Sequence, residues 1–425
     1  MQRRFFLALL TTALLTATDS AQAAKPAKSW PSWRGPDRNG ISRETGLLSS
    51  WSKEGPPLLW KVDGLGKGYS SVSIANGKIY TMGQRRREGT VLIALNLKDG
   101  KELWATKVGN GSPNCSPTVD GNLVYALGRS GNLICANAET GEIVWKKNYR
   151  EEFGGKMMSG WGYSESPLVD GENLICTPGS NDAMLAALDK KTGKVIWKSK
   201  MPADIGRRGR DGAGYSSVVI SNGAGVKQYI QLVGRGVVSV DAKTGKTLWV
   251  YNRVANGTAN IPTPIVKDDY VFCSTGYGTG AALLKLEKDG NGVKAVEQYF
   301  LNAGTLQNHH GGMILVGDYI YTGHKHNNGF PICVELKTGK VMWGGNIRGP
   351  GSGSAAIVYA DGHLYFRYEN AVMALIEATP KEYRLKGSFK LATRNGRSWP
   401  HPVILDGKLY LRDQGTLLCY DITKK

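Results

Sequence analysis

ALDKKTGKVIW, Ala187 to Trp197, joins an alternating apolar run to a Thr-Gly turn and a short strand that ends in tryptophan. Its second half returns as KDGKELW at Trp104, ETGEIVW at Trp145, KTGKTLW at Trp249 and KTGKVMW at Trp343. The intervals are 41, 52, 52 and 94 residues, the last holding two units. A period of about 40 to 50 residues made of short strands is the mark of a β-propeller, whose blades cannot bury both faces alone.

Upstream of each turn lie two more apolar runs, as in SPTVDGNLVYALG, MILVGDYIYTG and PVILDGKLYLRD. Asp-Gly and similar pairs between such runs are strong hairpin signals, which gives strands A and B. The run before the Thr-Gly turn is strand C and the Trp-bearing run is strand D. Units fall near 65–106, 115–148, 165–200, 214–252, 261–302, 308–346 and 351–391, and a tail from Ser398 holds strands A to C alone. PPLLWKV, Pro56 to Val62, places Trp60 where the missing strand D would carry its tryptophan. The chain is therefore expected to be all-β: an eight-bladed β-propeller of four-stranded antiparallel blades, closed by an N-terminal strand that completes the C-terminal blade. The ring spans 57–425, after an extension over 24–56.

Residues 1–23 read as a signal peptide, with Arg3 and Arg4, an apolar run from Phe5 to Leu15 and Ala21-Gln22-Ala23 as the cleavage site. RRFFL also matches the twin-arginine pattern, so export runs by the general secretory or the twin-arginine route. No later stretch has the length of apolar chain needed to cross a bilayer. A periplasmic or secreted monomer is expected. The formal charge of +19 falls by one unit when this leader is removed. Export and the lack of a long Lys/Arg block argue against nucleic acid and for an anionic glycan, an envelope protein or an anionic cofactor.

Ala187 to Trp197 and, with Ser239 for Ala, residues 239–249 match A-x-D-x-x-T-G-K-x-x-W. This resembles the tryptophan-docking repeat of pyrroloquinoline quinone (PQQ) dehydrogenases and their relatives, a superfamily that also includes the outer-membrane assembly lipoprotein BamB. SWPSWRGPDRNGIS, Ser29 to Ser42, resembles the leader of exported PQQ-like propeller proteins abundant in Planctomycetes. Cys135, Cys333 and Cys419 are read into the small strand C slot of Ala187, and Cys176 and Cys273 into the strand B slot of Tyr80 and Tyr125; Cys115 stands outside both. Equivalent slots in different blades lie too far apart for disulfides, so buried thiols are expected. No C-x-x-C-H and no adjacent cysteine pair occurs, unlike many quinoprotein alcohol dehydrogenases.

In a propeller the D-to-A connections and B-to-C loops open on one face, around the axial channel. There the chain places Tyr69, Asn114, Trp161, Glu165, Tyr215, Asn260, Arg397, Trp399 and His401. NHHGG and GHKHNNG bring His309, His310, His324 and His326 to the same rim, so a metal held by these imidazoles, with His401 or Glu165 as a further ligand, is one expectation. The family resemblance implies another: PQQ with a divalent cation, held by Arg207, Arg208, Arg210, Trp161 and Trp399, with Asp211 or Glu165 as the base. In BamB the corresponding stretch carries an arginine that holds its partner, which makes Arg207 to Arg210 the expected partner contact.

Three functions follow. The first is an exported binding or scaffold module of the cell envelope with a basic, aromatic channel mouth, supported by a complete scaffold without a complete catalytic set. The second is a PQQ-dependent dehydrogenase of alcohols or sugars. The third is a His-lined metal site with glycan-directed chemistry, which no nucleophile or paired-carboxylate motif supports.

Overall fold

The computed structural model describes residues 29–425, so the leader expected over 1–23 lies outside the described residues. Among these residues the strands form eight four-stranded antiparallel sheets arranged in a ring. Seven blades are built from consecutive strands over 73–109, 118–148, 168–198, 219–251, 265–302, 313–343 and 355–390. The eighth joins Val403–Leu405, Lys408–Asp413 and Thr416–Asp421 to Leu58–Val62, with Trp60 opposite Cys419. Pairing the two ends closes the ring and gives the eighth blade its fourth, outermost strand.

The repeated motif is the joint between blades. Trp145 donates its indole hydrogen to Lys190 O at 3.1 Å and Trp197 to Ala242 O at 3.3 Å, each acceptor lying just before the next blade's Thr-Gly turn. The turn glycine is required twice over. Gly193 has φ +71°, and a Cβ there would sit 2.9 Å from the Trp145 ring. Trp343 likewise donates to Thr379 O of the following blade at 2.7 Å, whereas Trp249 donates to Gln228 Oε1 of its own blade at 2.9 Å, so the spaced tryptophans build a circular seam with one variant joint.

Two blades lack the tryptophan and solve the joint differently. In blade 5 Tyr299 stands opposite Leu283, and its hydroxyl donates to Leu336 O at 2.6 Å in blade 6. In blade 7 Gly387 stands opposite Leu375. Trp51 of the N-terminal extension covers that glycine, its ring 5.5 Å from Tyr365 and 5.2 Å from Phe389. A side chain at 387 would collide with Trp51, so the chain's own N-terminal part supplies the missing wedge.

The cysteine reading needs one correction. Cys135, Cys333 and Cys419 stand opposite Tyr125, Tyr321 and Tyr410, as the alignment has it. Cys176 and Cys273 do not occupy the tyrosine slot: Ile175 faces Ala187 and Phe272 faces Leu283. An offset of one residue turns a strand side chain to the other face. All six cysteines are buried and unpaired.

Residues 30–42 run along the ring axis. Trp30 pairs with Ile74 of blade 1, and Pro31 O accepts from Val119 N of blade 2. The Arg38 guanidinium donates to Ser166 O, Pro167 O and Val218 O, which tie it to blades 3 and 4. Arg34 donates to Met313 O of blade 6, Gly40 O accepts from Tyr359 N of blade 7, and Ser42 donates to Ile404 O of blade 8. Touching the innermost strands, or the residues leading into them, of seven blades is possible only on the axis. The WRGPDRNG stretch is therefore a plug.

Candidate functional site

The plug makes the channel a one-ended bowl of about 490 Å³, with Trp33 among its lining residues. The D-to-A connections and B-to-C loops form the wall. Tyr69 and Trp399 lie with ring centres 4.5 Å apart, Trp161 stands 6.4 Å from Trp399, and Tyr215 and Tyr277 add further rings. Trp161 is 48% exposed although large and apolar. Exposed aromatic faces that line a concavity form a stacking surface for a ligand.

Four histidines reach the bowl. His309 lies 4.4 Å from His310 and 4.1 Å from His326 between ring centres, and His401 lies 5.5 Å from Trp33. Burial, aided by neighbouring cationic side chains, holds His309 down to about 2 and His310 and His401 down to about 3, so these imidazoles are neutral at physiological pH. His324 stays behind the wall, where its Nδ1 accepts from Gln307 N at 3.2 Å. It shares the rim with His309 but does not line the bowl. Among the described residues no three His, Cys, Asp or Glu side chains are grouped to hold one metal ion.

Charge on the wall comes from Arg129 and Arg397, and among the described residues no Asp or Glu lines it. Four more arginines, Arg34, Arg38, Arg367 and Arg412, are buried in the ring. Each donates to backbone carbonyls. Burial lowers Arg34, Arg38 and Arg367 to about 10 and Arg412 to about 9, which leaves them charged at neutral pH. Glu165 and Asp413 are the carboxylates among the buried charged residues. Four arginines and two carboxylates are thus buried in the ring, while at the wall Arg397 lies 3.3 Å from Glu369, which also accepts from Trp399 Nε1 at 2.9 Å.

Glu165 is buried, accepting from Thr177 N at 2.6 Å, from the Thr177 hydroxyl and from Tyr149 at 3.0 Å. It is not among the lining residues. Asp211 is exposed and lies 2.8 Å from Arg235 Nε. Arg207, Arg208 and Arg210 are exposed on the same connection, outside the bowl; Arg208 donates to Arg253 O at 3.3 Å. Trp161, Trp399, His309, His310, His326 and His401 do come together at the bowl. A flat anion fits these rings and the two wall arginines. A divalent cation with oxygen ligands and a carboxylate base fits less well, because no carboxylate lines the bowl among the described residues and Glu369, behind the wall, is engaged by Arg397 and Trp399.

Trp33, Arg129 and Tyr277 were not anticipated from sequence. Trp33 belongs to a motif met only as a resemblance, and Arg129 and Tyr277 lie on short B-to-C loops that carry no repeat signal. The rule that B-to-C loops open on the channel face would have admitted both.

Comparison with known proteins places the chain. A 335-residue stretch is 24% identical to the tetrathionate hydrolase of Acidithiobacillus ferrooxidans, covering 75% of this chain and 53% of that one. BamB of Shewanella oneidensis is 24% identical over 268 residues, 60% of this chain and 62% of that protein. The chain thus spans between half and two-thirds of the length of these curated relatives. A europium-containing methanol dehydrogenase superposes with a TM-score of 0.65 at 11% identity, covering 91% of this chain and 90% of that one, a likeness of fold. No helix of the described residues is long and apolar enough to cross a membrane. Residues 87–345, more than half of the chain, match the family model described as outer membrane protein assembly factor BamB, and the chain belongs to that family within the PQQ-like β-propeller superfamily.

Proposed function

We propose that this protein is an exported binding module of the cell envelope whose axial bowl takes an anionic saccharide. One observation carries the reading: exposed aromatic rings, Arg129 and the Glu369-paired Arg397 line a cavity that no described carboxylate enters. Aromatic faces suit the apolar faces of sugar rings, and guanidinium forks suit their carboxylates or sulfates. The exposed Arg207, Arg208 and Arg210 loop is the surface offered to an acidic envelope partner. BamB kinship supports an envelope setting for a monomer in the periplasm or outside the cell.

Dehydrogenase chemistry with PQQ and a divalent cation has less support, since Glu165 and Asp211 stand outside the bowl. Calorimetric titration with acidic and neutral oligosaccharides of equal length tests the reading. Acidic chains should bind, more weakly as salt rises, and Trp161→Ala should remove the binding. Equal binding of neutral chains, or binding to neither, would overturn it.

A further inference from the structure

Blades 2 and 6 face each other across a ring of eight, and the bowl wall changes character from one to the other. Arg129, on the B-to-C loop of blade 2, stands against the segment of Trp161. Around blade 6 the wall is made of His309, His310 and His326 with Tyr277, whose ring lies 4.3 Å from His326.

Arg129 is built into place. One Nη donates to Gly160 O at 3.1 Å, its backbone carbonyl accepts from Tyr163 N at 3.0 Å, and its aliphatic stem runs against Gly162, where a Cβ would collide with it. The segment of Trp161 is fixed in turn, since Asn114 Nδ2 donates to Trp161 O at 3.1 Å and Trp161 N to the Tyr215 hydroxyl at 3.4 Å. Among the described residues no carboxylate pairs with Arg129, and its remaining guanidinium hydrogens are free for a ligand.

The bowl's other cation is neutralised within the protein. Arg397 Nε lies 3.3 Å from Glu369, the same carboxylate that holds Trp399 Nε1. Arg34 and Arg38 lie against Trp33, donate to backbone carbonyls and do not line the bowl. Among the described residues Arg129 is therefore the one unneutralised charge on the wall.

Opposite it stand neutral imidazoles and the Tyr277 hydroxyl, groups that exchange hydrogen bonds with other hydroxyls. A carboxylate pressed against them would lose its water without gaining a cation, and an unpaired buried charge is costly. The same wall thus favours one acid group and opposes a second.

We propose that the bowl selects a segment of mixed polysaccharide in which one uronic acid stands among neutral sugars, an inference that rests on the reading of the bowl as an anionic-saccharide site. The uronate carboxylate meets the free edge of the Arg129 guanidinium, its ring lies on Trp161, and the neutral sugars beside it exchange hydrogen bonds with the imidazoles. Arg129 is then the specificity-determining residue, the group that separates an acidic chain from a neutral one.

The test is calorimetry with three oligosaccharides of equal length: one neutral, one with a single internal uronate and one with a uronate at every position. The single-uronate chain should bind tightest, about 10- to 100-fold above the neutral one, the range of a charge-assisted hydrogen-bonded pair. Arg129→Gln should bring these two chains to the same affinity and remove most of the salt dependence, while Arg129→Lys, which keeps the charge without the fork, should restore part of the preference. Lys243→Gln removes the same unit of charge from an exposed turn and should leave the preference intact. A fully acidic chain that binds as tightly as the single-uronate one overturns the inference and leaves the anionic-saccharide site standing. A preference that survives Arg129→Gln, or that Lys243→Gln removes equally, also overturns it. If neither acidic chain binds, both readings fail.

Discussion

The seam of docking aromatics and the axial bowl are both lined by tryptophans, yet they do opposite things with them. At the seam Trp197 is buried, hydrogen-bonded to Ala242 O and pressed on the glycine of the next turn. In the bowl Trp161 leaves nearly half its surface open and Trp399 stacks loosely on Tyr69. One set spends its apolar area on holding blades together; the other keeps that area available. The difference teaches that tryptophan content is no guide to function here until burial is known.

The largest effect that would separate the two regions is on stability. Trp197→Ala should cost about 3 to 5 kcal/mol in denaturant unfolding, because it removes a buried ring and leaves a cavity between blades. A cost below about 1 kcal/mol would mean that the seam is not what holds the ring.

Acid should strain the bowl before the seam. His309, His310 and His401 have folded values far below the unfolded value of about 6.5, so the unfolded state binds more protons as pH falls. The stability they confer is complete above about pH 6.5 and is lost at up to about 1.4 kcal/mol per pH unit per histidine below it. His310→Asn should therefore flatten the fall in melting temperature between neutral and mildly acidic pH. An unchanged slope would place protonation elsewhere.

Gly193→Ala combines a left-handed backbone with a contact to the Trp145 ring and should cost about 1 to 3 kcal/mol by the same unfolding assay. Smallest is Trp161→Ala, expected within about 0.5 kcal/mol of the parent in stability although it removes the saccharide affinity. A large loss of stability there would erase the contrast between the two regions.

Legibility followed the same division. The intervals between Trp104, Trp145, Trp197, Trp249 and Trp343 announce the blades, and Trp60 announces the closure, because each blade must present the same wedge to the same groove. The joints at Tyr299 and at Gly387 under Trp51 break the pattern and were legible only in part: a distant segment fills the second one, and no local rule points to it. Cys176 and Cys273 were misplaced by one residue because the repeats drift by single residues between strands, and that drift decides which face of the sheet a side chain takes.

For the bowl, sequence named Tyr69, Trp161, Tyr215, Trp399, His309, His310, His326 and His401, since connections on one face of a propeller must meet at its axis, but it missed Trp33 and Tyr277 and included His324, which stays behind the wall. It offered no means of knowing that residues 30–42 would close the other end. The number of blades, the way the ring closes and the identity of the open face follow from periodicity, which is local and repeated. The plug depends on contacts among segments hundreds of residues apart, and the neutral state of the histidines and the burial of Glu165 against Thr177 and Tyr149 depend on how neighbouring strands and loops pack. Such contacts are decided by burial and by the need of backbone carbonyls and guanidinium groups for partners, and those conditions exist only once the ring has formed.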